Sequence, residues 1–380
     1  MGEPAPGFEA LRKGCAAAVR GEAGSVSPAA GFAAHGLALA ERHRVVPLLA
    51  AGLSAAFRER FRRRVLALAQ QTARLEQELG FLSRQLAAAG VEFLLCKGPA
   101  LARQAYPVPE WRTCDDLDLW VASRDFDAAV RALEQAGYRR PQALGARAAA
   151  CARRAGIEAA LVHPDRGRLI EVAHGWRALA PTPRAAREVC AGAVALDIAG
   201  AKIRAPAPAH ALILACLHGA HHRWDRFSWV ADVAGLWLRL SPGEREEVCA
   251  RARRWRAETA LGLGLRLAAE HLGLALGGRA AALAAARRVA ALFRRVRLEE
   301  IGGAALRVPM MERLRFEKDA QDSALRRLRR MAGWVFTPTL GDIEACALPA
   351  ALYPLYAVLR PLRLLRHPWW RAGRARTGRT

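Results

Sequence analysis

Asp116 and Asp118 stand two residues apart in Arg112-Thr-Cys-Asp-Asp-Leu-Asp-Leu-Trp-Val121, where apolar residues alternate with carboxylates. That alternation predicts a β-strand over residues 116–121. Side chains on a strand alternate faces, so the two carboxylates project to one side, a pleat apart. Acids that close repel each other unless something positive sits between them. A divalent metal is the usual answer, and Mg2+ takes hard oxygen ligands of this kind. The plain alternative is an exposed edge strand whose polar face is acidic.

The neighbouring segments favour chemistry. Val91-Glu-Phe-Leu-Leu-Cys96 reads as a short buried strand over residues 91–96 that ends at Lys97-Gly98-Pro99. Glycine permits a tight turn there and proline suits a first helical position. Lys97 is one of four lysines among 59 basic residues, so a lysine at this strand-to-helix turn stands out. Its ammonium, with the Arg112 guanidinium, could hold a polyphosphate. Beyond the acidic strand, Asp125 to Tyr138 reads as a helix with acids at its start and Gly137 as its stop.

Taken together, Leu95-Cys-Lys97-Gly98-Pro-Ala-Leu101, Tyr106, Arg112-x-x-x-Asp116-Leu-Asp118-Leu-x-Val121 and the closing Ala136-Gly137-Tyr138 resemble a large family of uncharacterised bacterial nucleotidyltransferases. That family belongs to the DNA-polymerase-β-like superfamily. The likeness continues through Arg168-Leu-Ile-Glu171-Val-Ala-His174-Gly-Trp176 and through Leu212 to Val233. It spans about residues 90–240 and is strongest over about 94–138.

The resemblance implies attack of an acceptor hydroxyl on the α-phosphorus of an NTP, expected to be ATP, with loss of pyrophosphate. Such a reaction needs metal ions and fixed cations more than a side-chain nucleophile. It implies two Mg2+ ions held by Asp116, Asp118 and a third acid on a neighbouring strand. Glu171 is the candidate for that third acid, with Asp165 in the preceding turn as the alternative. Lys97 and Arg112 would neutralise phosphate oxygens or position the turn beside them. Two departures matter. Superfamily members commonly open with a Gly-Ser turn, and here the turn is Lys97-Gly98. The third-acid segment usually reads acid-x-His-aromatic, whereas Glu171-Val-Ala-His174 carries one extra residue. Either a β-bulge realigns His174 with the site or His174 has left it.

His218 and His222 share a helix face at a spacing known for metal ligands. A zinc-protease reading needs a glutamate beside the first histidine, and Gly219 stands there instead. The pair is either packed and hydrogen-bonded or, as the resemblance implies, turned to the cleft for nucleotide or acceptor contact. Trp224, Trp229 and Trp237 read as packing anchors, with base stacking by Trp224 as the other option. Asp232 reads as a buried partner for a histidine or arginine.

The net charge of +24 suggests nucleic acid at first sight. The arginines, however, are spread along an alanine- and glycine-rich chain, as in proteins from high-GC genomes, so no specific nucleic-acid partner is expected. Eight cysteines without Cys-x-x-Cys spacing read as reduced core thiols of a cytoplasmic protein. The N-terminus lacks a signal-peptide pattern. The uncharged run Ala345 to Leu359 is broken by Pro349 and Pro354, which argues against a membrane span. The arginine-rich stretch after it could rest weakly on an anionic membrane surface, or pack as a terminal or dimer-forming helix.

The expected architecture is α+β: a polymerase-β-like nucleotidyltransferase core, a mixed sheet flanked by helices, with large α-helical N- and C-terminal parts. The divisions expected are a helical region over 1–89, the catalytic core over 90–205, a helical domain over 206–300 and a helical extension over 301–380. Leu68, Leu75, Leu79, Leu82 and Leu86 mark a long amphipathic helix closed by Gly90. Strands are expected near 116–121 and 168–173, with a hairpin over 193–204 turning at Ala199-Gly200. Gly277-Gly278 and Gly302-Gly303 read as joints. The function expected is Mg-dependent transfer of NMP to a hydroxyl on a small molecule, peptide or protein. The competing readings are a non-catalytic relative that binds nucleotide or a partner, a modifier that places AMP on a protein, and a basic nucleic-acid-binding module.

Overall fold

The computed structural model describes residues 6–28, 32–141, 144–298 and 310–366. The chain is a mixed α+β protein, 65% helical with a small mixed sheet. Four strands form that sheet: β1 (Phe93–Leu95), β2 (Asp116–Val121), β3 (Ala159–Val162) and β4 (Leu169–His174), in the order β1-β2-β4-β3. β2 runs parallel to β4 at the centre, and β1 and β3 close the edges antiparallel. β2 matches the acidic segment residue for residue. β3 has no counterpart in the sequence reading.

The sheet is two-faced. Leu117, Leu119 and Val121 of β2, with Ile170 and Val172 of β4, point to one side and are fully buried. They pack on the helix Phe126–Gln135 and on Leu75, Leu79, Leu82 and Leu86 of the long helix Ala55–Ala88. Those leucines recur at helical spacing, so one stripe covers one sheet face, and Gly90 ends the run with φ of 68°. The opposite face of β2 carries Asp116 and Asp118, both half-buried.

The expected hairpin is present as β5 (Val194–Ile198) and β6 (Ala201–Ala205), paired antiparallel. Ala199 and Gly200 have φ of 49° and 77°, the left-handed pair that a two-residue hairpin turn requires. The remaining helices build a second apolar interior. Phe8, Leu11 and Leu49 from the first helices share it with Leu212, Trp237, Leu263 and Leu292, so the chain's beginning packs against its helical later part. Within the helical extension expected over 301–380, the described residues form the charged helices Met310–Asp319 and Ala324–Phe336. Gly302-Gly303 lies outside the described residues.

Candidate active site

Strand register brings the acids together. Asp118 is the direct neighbour of Glu171 across the parallel β2–β4 pair, and Asp116 lies one pleat away on the same face. Burial first, then repulsion from Asp118, raises the Asp116 carboxyl above its ordinary range, against the pull of Lys97 and Arg44. Glu171 is pushed up to about 7 by burial and by the carboxylates of Glu158, Asp118 and Asp116, with a hydrogen bond to Asp118 adding to the effect.

Glu158 is the group that sequence reasoning missed. It immediately precedes β3, two residues before Ala160, which pairs with Glu171, so alternation puts it on the acidic face. The residue is exposed by area, yet its carboxyl lies within the field of Asp118 and Asp116 and is raised by burial and by both of them. The available signal was Gly156, a left-handed helix stop at φ of 72°, followed by the run Ala-Ala-Leu-Val. The alternative third acid, Asp165, sits in an exposed turn beside His163 and is no part of the group.

Lys97 is drawn into this cluster. Its Nζ lies 3.4 Å and 3.5 Å from the two Asp118 carboxylate oxygens. The turn that delivers it depends on Gly98, whose φ of 59° and ψ of −132° favour glycine. Cys96 ties the turn to the acidic strand by donating its N–H to the Asp118 carbonyl at 3.2 Å.

Arg112 lies beneath the turn and is held from elsewhere. Its Nε and Nη2 donate to the two Asp232 oxygens at 2.9 Å and 3.2 Å, and the Tyr106 hydroxyl donates to Oδ1 at 2.8 Å. Burial works against the guanidinium charge, but the Asp232 carboxylate outweighs it and holds Arg112 above its ordinary pKa. A third hydrogen, on Nη1, reaches the Gly98 carbonyl at 3.5 Å. Of its two expected roles, positioning the turn is the one these contacts describe. Asp232 is the buried partner expected, and its arginine is Arg112.

His218 and His222 lie side by side with tilted rings, centroids 4.5 Å apart, and both lie against Trp229. Burial is the main cause that lowers both, His222 to about 3, and the Lys97 charge contributes to each. The pair therefore faces Lys97 in its neutral form. Gly219 is explained by packing: a Cβ there would fall 2.7 Å from the Trp224 ring. Trp224 is fully buried, so it is a packing residue and cannot stack on a base. Arg226 adds a further cation the sequence reading did not assign. It lies over Trp229 at 5.4 Å, and its pKa is lowered by burial and by Arg44, with Asp225, Asp115 and Asp116 pulling the other way.

His174 requires a correction. The β2–β4 register runs unbroken from Asp116–Leu169 to Val121–His174, so no bulge shifts it. Three residues from Glu171, an odd number, His174 must face the opposite side. It packs on the Phe126 ring at 4.2 Å, with Nδ1 3.5 Å from the Ser123 hydroxyl.

All four acids offer hard oxygen donors from one sheet face, which suits Mg2+ in donor chemistry. Among the described residues, no three His, Cys, Asp or Glu side chains are close enough to enclose an ion. The cluster is an anionic patch with Lys97 resting against it, and the side chains do not form a closed coordination shell.

The repulsion makes a testable signature. Glu171 ionises near 4.5 when unfolded and near 7 when folded. Below the first value both states are protonated and the fold carries no penalty. As pH rises through 7 the folded carboxyl ionises against its neighbours, and that relative stability is lost. Glu171→Gln should therefore stabilise the metal-free protein by about 1–2 kcal/mol at pH 8, after allowance for solvent screening, and change little at pH 4. Urea unfolding at both pH values checks this. An equal effect at both would refute the assignment.

Residues 34–273 match the family described as uncharacterised nucleotidyltransferase. The match covers more than half the chain, and the chain belongs to that family. No curated protein matches it. Among solved structures, an antigenic nucleotidyltransferase-like protein from Paracoccidioides brasiliensis is similar at 16% identity. The likeness covers 49% of this chain and 91% of that one with a TM-score of 0.32, which is too distant to bear on the site. Nucleotidyl transfer is the general chemistry that the family's description states.

Proposed function

We propose that the chain is a Mg-dependent nucleotidyltransferase with a polymerase-β-like catalytic sheet, moving NMP from an NTP, ATP by preference, to an acceptor hydroxyl. The observation that carries this reading is the direct pairing of Asp118 with Glu171 on adjacent parallel strands, with Asp116 on the same face. Bound Mg2+ would supply charge neutralisation on the triphosphate and acidify the acceptor hydroxyl. Asp116, Asp118 and Glu171 would hold the metal, with Glu158 beside them.

The chain's own groups account for the rest. The acceptor oxygen bonds to the α-phosphorus as the bond to the bridging oxygen breaks, and pyrophosphate leaves. The hydroxyl proton passes to a carboxylate oxygen of Glu158, which lies beside the metal-holding acids and whose proton affinity is raised by burial and by Asp118. With Asp118 engaged in holding the metal, Lys97 would be free to turn from that carboxylate to a phosphate oxygen. His218 and His222 lie within the field of Lys97, where neutral imidazoles can donate to phosphate without adding fixed charge, and Arg226 lies over Trp229 beside them. Arg112 acts through Gly98, keeping the lysine turn in place.

The direct test is to incubate the protein with Mg2+, α-labelled NTPs and cell extract, then to separate small molecules from polypeptides. Transfer of α-label to either fraction, dependent on Mg2+, is the expected result. Metal-dependent NTP binding by calorimetry without any label transfer would instead establish a non-catalytic nucleotide binder.

A further inference from the structure

The last described helix, Tyr356–Arg366, has its polarity inverted. Arg360 is 6% exposed: its Nε donates to the Trp334 carbonyl at 2.9 Å and its Nη1 pairs with Asp342. The leucines face outward instead. Val358 is 60% exposed and Leu362 50%, and with Leu365 they recur at four- and three-residue spacing, while Leu355 is exposed at the end of the preceding 3-10 segment. That spacing makes one continuous stripe on the helix surface. The neighbouring helix Ala324–Phe336 adds Leu328 and Phe336, both exposed. Scattered surface leucines are ordinary, but a stripe of this kind over a buried ion pair implies an apolar body outside it.

Charge selects the body. After Glu344 the sequence holds no acid and seven arginines, of which Arg360 and Arg363 pair with Asp342 and five remain to carry net charge. A symmetric second copy would set like charges against each other around the same patch. An anionic lipid surface complements both the leucines and the arginines. No described helix is long and apolar enough to cross a membrane, so the contact would be peripheral.

We infer that this surface docks the chain on an anionic bilayer, with helix Tyr356–Arg366 lying in the plane of the interface. The inference stands apart from the catalytic reading. The test is co-sedimentation of the full chain with vesicles of phosphatidylglycerol and phosphatidylcholine, against phosphatidylcholine alone. Binding to the anionic vesicles, weakened by salt, is expected, with at least about a tenfold loss of partitioning in L362E/L365E. Both leucines face solvent, so the double variant should unfold at the wild-type temperature; V358D is an independent second variant at the same stripe. Failure to bind anionic vesicles, equal binding to neutral ones, or binding unaffected by either variant would overturn the proposal. A dimer that the substitutions dissolve, with no vesicle binding, would overturn it in favour of self-association.

Discussion

Asp118→Asn should lower nucleotidyl transfer by about 10³-fold, roughly 4 kcal/mol of transition-state stabilisation, while leaving the protein folded. Asp118 is the acid with most neighbours in the cluster: it pairs in register with Glu171, lies a pleat from Asp116 and contacts Lys97. Its amide would be a poor metal ligand and would leave the Lys97 ammonium without its carboxylate. Asp116→Asn should cost comparable activity with a different effect on the fold. Asp116 makes no ion pair among the described residues, and burial and repulsion raise its pKa. Removing its charge relieves the cluster, so its unfolding temperature should be equal to or above that of the wild type. Asp115→Asn is the internal control. Asp115 pairs with Arg44 and accepts from Gln71 Nε2 at 2.9 Å, outside the acidic cluster. Transfer rates with saturating Mg2+ and NTP, measured beside thermal unfolding, separate the three. If Asp115→Asn were as inactive as Asp118→Asn, the site would have been drawn around the wrong carboxylates.

The parts of this site written in local pattern were legible from sequence. β2 alternates apolar and acidic residues, so both its existence and its acidic face follow from a period of two. The hairpin follows from Ala199-Gly200, where the turn needs positive φ, and the long helix from leucines at helical spacing. What escaped depends on pairing between distant segments. β3 is four residues long and half alanine, a residue equally at home in the helix just before it, so Glu158 went unseen. His174 illustrates the reverse case. Its three-residue offset from Glu171 fixes the opposite face only if the strand is regular, and regularity is a property of the β2–β4 register. The sequence marks Arg112 as a cation near the turn. That its fork is already occupied could not be read locally, because Asp232 lies 120 residues further along the chain.

That occupied fork leads to the largest expected effect on stability. Arg112→Ala should destabilise the fold by about 3–5 kcal/mol, because Asp232 is almost fully buried and would be left with only the Tyr106 hydroxyl. Against a typical stability of about 5–15 kcal/mol, this is enough to populate unfolded chain at modest temperature. Arg112→Lys keeps the charge but loses the two-pronged contact, so it should fall between. Replacing both partners, as in Arg112→Met with Asp232→Leu, removes the buried charges together and should recover much of the loss. A phosphate-binding arginine behaves otherwise: its alanine variant stays stable and shows a raised KM for NTP. Urea unfolding of the single and double variants therefore decides between the two roles. Recovery in the double variant without recovery of activity would identify Arg112 as the strut that carries Gly98 and, through it, Lys97. An unperturbed Arg112→Ala would return the guanidinium to the substrate.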